Sequence, residues 1–146
     1  MEMEEEKEKR ITAANQLISQ ITDISSAIRM TDVREQCRQI IPALRDLRDT
    51  QYLFDSGEKE LIRLYERYMP YYMEILENYL KLQESANREA IIANGKKLIE
   101  TTKQLEDVIR NVIKILPQDE IDEANAKAQA EELKRSLEEQ RHNVVK

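Results

Sequence analysis

The sequence predicts an all-α fold, an elongated antiparallel helical bundle of four to five helices with coiled-coil-like packing. Three observations predict it. Turn formers are scarce, with 2 glycines and 3 prolines in 146 residues, which leaves room for only a few connections. The abundance of Glu, Lys, Arg, Ala, Leu and Ile favours helix. Apolar residues recur at steps of three and four in four separate stretches, and no Val/Thr/aromatic run alternates between turn residues as a strand would.

Residues 1–10, MEMEEEKEKR, read as a charged, frayed lead-in with only methionines as apolar groups. Residues 11–142 read as a single helical bundle domain. Its first stripe is Ile11, Ala14, Ile18, Ile21 and Ile28. The phase shifts near Arg29 to Asp32, where Asp32 followed by Glu35 resembles a capping box. A second stripe follows in Val33, Cys37, Ile40, Leu44 and Leu47; the alternative is one long helix running through the shift. FDSGEKE is the clearest loop, because Ser56 and Gly57 can stop one helix and start the next.

The third stripe runs Leu61, Tyr65, Tyr68, Tyr72, Ile75, Tyr79, Leu82. A connection around QESANRE, with Ser85 as N-cap, leads to the fourth and most regular stripe: Ile91, Gly95, Leu98, Thr102, Leu105, Ile109, Val112, Leu116. Ile92, Ile99 and Ile113 flank it and widen the apolar face. Residues 61–116 thus form a central helical hairpin. Pro117 is expected to end the fourth helix and Asp119 to cap a last one over 118–142. That helix offers Ala124, Ala126, Ala128, Ala130, Leu133 and Leu137, which bury little area, so it is expected to be the most weakly held. Short connections place consecutive helices antiparallel.

All seven aromatics fall between Tyr52 and Tyr79. The third stripe keeps its three–four spacing on both sides of Pro70, which favours one helix kinked there, with the Glu66 carbonyl left without its donor. The alternative is a helix ending near Tyr68 and a new one starting at Pro70. Tyr65, Tyr68, Tyr72 and Tyr79 belong to the core stripe, and Tyr71 lies off it. Either the rings fill space opened by the kink, or the kink opens a cleft lined by tyrosine hydroxyls where a partner docks. Met69, Pro70, Tyr71, Tyr72 and Met73 are the candidate partner-binding residues.

Composition narrows the function. A net charge of −6 with interleaved acids and bases argues against nucleic-acid binding. No apolar stretch approaches the roughly 18 residues of a membrane span, and the acidic N-terminus is unlike a signal peptide, so a cytoplasmic location is expected. Cys37 stands alone, a small apolar filler with no disulfide partner. His142, the only histidine, sits in a polar tail and reads as solvated. No triad, metal set, phosphatase loop or glycine-rich phosphate cradle can be assembled. Glu66 and Glu74 share a helix face, a spacing common in any glutamate-rich helix. No catalytic residue, cofactor or metal is expected.

The segment LIRLYERYMPYYMEILENYLKL resembles the signature of the bacterial 5-bromo-4-chloroindolyl phosphate hydrolysis protein family (XpaC-like). Tyr68, Met69 and Pro70 stand for its Tyr-hydrophobic-Pro element, and Leu76, Tyr79 and Leu82 for the helix that follows. DEIDEANAKAQAEELKRSLEEQ is similar to the family's last helix. The resemblance covers residues 52–140. Many members look membrane-attached at the N-terminus and end in an acidic-glycine sequence, features this chain does not share. The resemblance implies a link to toxic-anion (tellurite) resistance proteins as partners, and the family name implies hydrolysis of a phosphate ester. Phosphate monoester cleavage needs metals or an activated nucleophile, which these residues do not supply, so the name is read as an indirect phenotype. The expectation is a non-catalytic helical interaction module that binds another helical protein or a second copy of itself. The alternative is a hydrolase acting on phosphate esters. A third reading is a coiled-coil subunit whose C-terminal helix pairs in trans.

Overall fold

A computed structural model describes residues 2–145, with side-chain surroundings for residues 4–141. Among them all regular structure is helical: α1 (Glu2–Ser26), α2 (Thr31–Arg38), α3 (Ile40–Leu53), α4 (Glu58–Arg63), a π turn (Leu64–Tyr68), α5 (Met69–Gln83) and α6 (Arg88–Val145). These make four rods, since α2 runs into α3 and α4 runs through the π turn into α5. No described helix is long and apolar enough to cross a membrane.

The first rod begins at Glu2, so residues 2–10 are helix and not a frayed lead-in. Two ion pairs tie this part down, Lys7 to Asp55 at 3.0 Å and Arg10 to Glu58 at 3.1 Å. The break near residue 30 is real, but its cap differs from the expected box. Met30 precedes the first turn in extended conformation without a side-chain cap, and Asp32 accepts from the adjacent Val33 N–H at 2.9 Å. The turn is held instead from α5. The Gln83 amide accepts from the Arg29 N–H at 2.7 Å and donates to the Ala27 carbonyl at 2.9 Å. Leaving either backbone group buried and unpaired would cost about 1–3 kcal/mol. Between α2 and α3 the helix is offset at Gln39, because Pro42 has no N–H for the Arg38 carbonyl four residues back.

Two further termini depart from expectation. Asn87, not Ser85, caps α6: its side-chain oxygen accepts the Ala90 N–H at 3.1 Å, while the Ser85 hydroxyl donates to the Leu82 carbonyl at 2.6 Å. Pro117 lies inside α6, and Asp119 starts no new helix. The proline removes one hydrogen bond, to Ile113, and helix formers on both sides carry the rod through. The expected helix over 118–142 is therefore the outer part of α6, and the fold has four rods rather than five.

Cross-rod contacts fix the directions. Arg48 with Asn15 and Arg38 with Ser26 make α1 antiparallel to α2–α3. Tyr72 with Thr102 makes α5 antiparallel to α6, the expected central hairpin. Cys37 with Thr102 and Asp46 with Arg110 make α2–α3 parallel to α6. Arg10 with Glu58 and Arg29 with Glu84 make α1 parallel to the α4–α5 rod. Consecutive rods are antiparallel as expected, yet two of the four side-by-side pairs are parallel. The circuit is α1, α2–α3, α6, α5, with the α1–α5 seam the thinnest. Residues 54–57 consequently cross the end of the bundle. Gly57 takes φ 79° to make that crossing, and the Ser56 hydroxyl is fastened to the Leu116 carbonyl at 2.9 Å.

The core is the sum of the stripes. Ala14, Ile18, Ile21 and Ile28 are buried, as are Val33, Cys37, Ile40, Leu44 and Leu47. In α6 the buried positions run from Gly95 through Leu98, Thr102, Leu105, Ile109 and Val112 to Leu116. Ile99 and Ile113 pack against this core, whereas Ile92 is exposed.

Candidate interaction surface

The π turn decides which tyrosines are inside. Pro70 lacks an N–H, and the Met69 N–H reaches back five residues to the Leu64 carbonyl. One extra residue is thereby taken up between the two halves of the rod. The buried positions run Leu61, Leu64, then Met69, Tyr72, Leu76, Tyr79 and Gln83, with a five-residue step across the turn. The expected uninterrupted stripe through Pro70 is not kept. Tyr68 is 41% and Ile75 40% exposed, and Leu82 is half-buried. The rod nevertheless continues through the proline, with Tyr68 and Met69 both helical.

Of the five candidate partner-binding residues, Met69 and Tyr72 are buried in the core. Pro70 and Tyr71 are exposed, and Met73 is half-buried against the core. Five consecutive residues span more than a helical turn, so they cannot share one face. The structure divides them between the interior and two outer faces.

Inside, Tyr72 anchors a short polar chain. The Thr102 hydroxyl donates its one proton to the Leu98 carbonyl at 2.7 Å, so it accepts from the Tyr72 hydroxyl at 2.9 Å. Cys37 Sγ lies 3.9 Å from the same oxygen. Burial pushes both the Tyr72 phenol and the Cys37 thiol above their ordinary values. Both stay protonated at neutral pH, which suits packing and not nucleophilic attack. Tyr65 gives its hydroxyl proton to the buried Gln51 side chain, and burial raises it as well. The Tyr79 hydroxyl is buried without a partner, beside Gly95, where an added Cβ would stand 3.3 Å from it. Among the described residues no group of three His, Cys, Asp or Glu side chains could hold a metal ion.

Outside, the rod offers two surfaces. Toward α1, Tyr65, Met69, Pro70 and Met73 line an open groove of about 280 Å³ with Ala13 and Leu17, rimmed by Gln16 and Gln20. It lies over the thin α1–α5 seam. On the other flank Tyr68, Tyr71 and Ile75 stand at helical spacing, all exposed, with Ile62 exposed earlier in the same rod. The antiparallel register set by Tyr72 with Thr102 brings this flank alongside exposed Val108 of α6. Reasoning from sequence placed Tyr68 and Ile75 in the core and passed over Val108. The one available signal was an excess of large apolar residues in 61–82, more than a single stripe can bury. Comparison of the chain with family models, with curated proteins and with solved structures finds no match to any of them.

Proposed function

We propose that the chain is a non-catalytic helical interaction module that docks another helical protein on the outer flank of the α4–α5 rod. The observation that carries this reading is the exposed row Tyr68, Tyr71 and Ile75, with Tyr71 66% accessible at its centre. Aromatic side chains set in an apolar patch are the usual anchors of protein interfaces, because a ring contributes large contact area for little conformational entropy. The buried tyrosines support the same reading by fixing the rod rigidly behind the row. The likeness of Tyr68–Leu82 to the XpaC-like family suggests a toxic-anion resistance protein as the kind of partner.

Site-specific photo-crosslinking tests this. A benzophenone side chain at position 71 is expected to give discrete protein adducts in cells, whereas the same group at Glu100, on the outer face of α6, gives none. Tyr71→Ala is expected to abolish partner capture while changing stability by less than about 0.5 kcal/mol. Adducts that are equal at both positions would remove the row from consideration. Turnover of a chromogenic phosphate ester that survives rigorous purification would overturn the non-catalytic reading.

A further inference from the structure

The outer part of α6 runs beyond the bundle, and every side chain from Ile121 to Arg141 is exposed. Its composition is nevertheless ordered. The buried heptad of α6, ending Leu105, Ile109, Val112, Leu116, continues in unbroken phase through Asp119 and Glu123 to Ala126, Ala130, Leu133 and Leu137. Leu133 is 63% and Leu137 57% exposed. The core stripe of the bundle thus continues as an uncovered stripe facing over the bundle's own end. Charge is sorted around it. Lys127, Lys134 and Arg141, seven residues apart, form one flank. Glu131, Glu132, Glu138 and Glu139 lie behind with Arg135 between them, and the other flank holds the uncharged Gln129 and Ser136, preceded by Asp122 nearer the bundle. None of the three basic residues has an ion-pair partner among the described residues.

A second copy does not fit this stripe. In a parallel pair, two stripes that each face their own bundle's axis would drive the bundles into the same space. In an antiparallel pair, Lys134 would meet Lys134 and Lys127 would meet Arg141 along one edge, where like charges oppose association. A helix with an apolar stripe and acidic residues beside it fits on both counts. We infer that the projecting segment of α6 is a docking helix for an acidic amphipathic helix of another protein. This surface is separate from the Tyr71 row, and the two stand or fall independently.

The test uses the full chain and two synthetic peptides that share one leucine stripe, one flanked by glutamates and the other by lysines. Fluorescence anisotropy is expected to show the glutamate peptide binding at least about tenfold tighter, with the preference shrinking as salt is raised. Lys127→Glu, Lys134→Glu and Arg141→Glu together should reverse the preference. Leu133→Ser with Leu137→Ser should abolish binding of both peptides, and Tyr71→Ala should change neither. Unaltered thermal midpoints in these variants show that the bundle is intact. Equal binding of the two peptides, no binding of either, or a dimer by light scattering that depends on Leu133 and Leu137 would each overturn the assignment.

Discussion

At the scale of single residues, the buried hydroxyls and the thiol tie stability to pH. Cys37, Tyr65, Tyr72 and Tyr79 are all raised above their ordinary values, chiefly by burial. The folded chain therefore keeps protons that the unfolded chain releases. Stability is fully present below the unfolded values and is lost as pH rises from them through the raised folded values. The loss begins near 9.0, the ordinary value of the Cys37 thiol, and steepens near 10.0 where the tyrosines join. Each group contributes a slope of about 1.4 kcal/mol per pH unit. Urea denaturation between neutral pH and the alkaline range should show this curvature, and Tyr72→Phe should lower the slope above 10.0 by one proton's worth. A flat profile would mean that these groups are open to water in the folded chain.

At the scale of elements, the π turn sets the packing of the third rod. Deleting exposed Arg67 would let the turn close as α-helix and rotate α4 against α5 by about 100°. Either Leu61 and Leu64 or Met69, Tyr72 and Leu76 would then leave the core. A large drop in the urea midpoint is expected for the deletion, against a change of about 0.5 kcal/mol or less for Arg67→Ala. This element also marks where the sequence stops being readable. In α2–α3 and α6 one apolar phase is continuous and residues such as Ile41, Ile99 and Ile113 only flank it, so Val33 to Leu47 and Gly95 to Leu116 were legible. In 61–83 two phases compete, with Leu64 beside Tyr65, Tyr68 beside Met69, Ile75 beside Leu76 and Leu82 beside Gln83. Spacing favoured the tyrosine phase because it needs no irregular turn. The structure takes the other, because Pro70 makes an inserted residue cheap at that point. Of the candidate residues, Tyr71 was legible as off-stripe and Tyr72 as core, while the burial of Met69 followed from the turn. Pro117 was misread for a related reason: a proline costs one hydrogen bond, and its neighbours decide whether the helix survives.

At the scale of the whole molecule, stability is unevenly spread. From Gly95 to Leu116 one face of α6 lies in the core, whereas from Ile121 to Arg141 no side chain is covered. Hydrogen exchange should therefore find strong protection at Leu98–Val112 and protection near that of an isolated helix beyond Ile121. Removing residues after Pro117 is expected to leave the thermal midpoint of the bundle within a few degrees of the full chain. Equal protection along all of α6 would show that the outer segment is covered in solution.

The parallel pairing of α2–α3 with α6 also bears on how the chain is made. Cys37 meets Thr102 across 65 residues and Asp46 meets Arg110 across 64. During synthesis the greasy side of the second rod must wait until nearly three-quarters of the polypeptide has left the ribosome. For that interval α1, joined by the α4–α5 rod through Tyr65 and Gln51, is its only cover, so the nascent chain short of α6 is the species a holdase chaperone would meet.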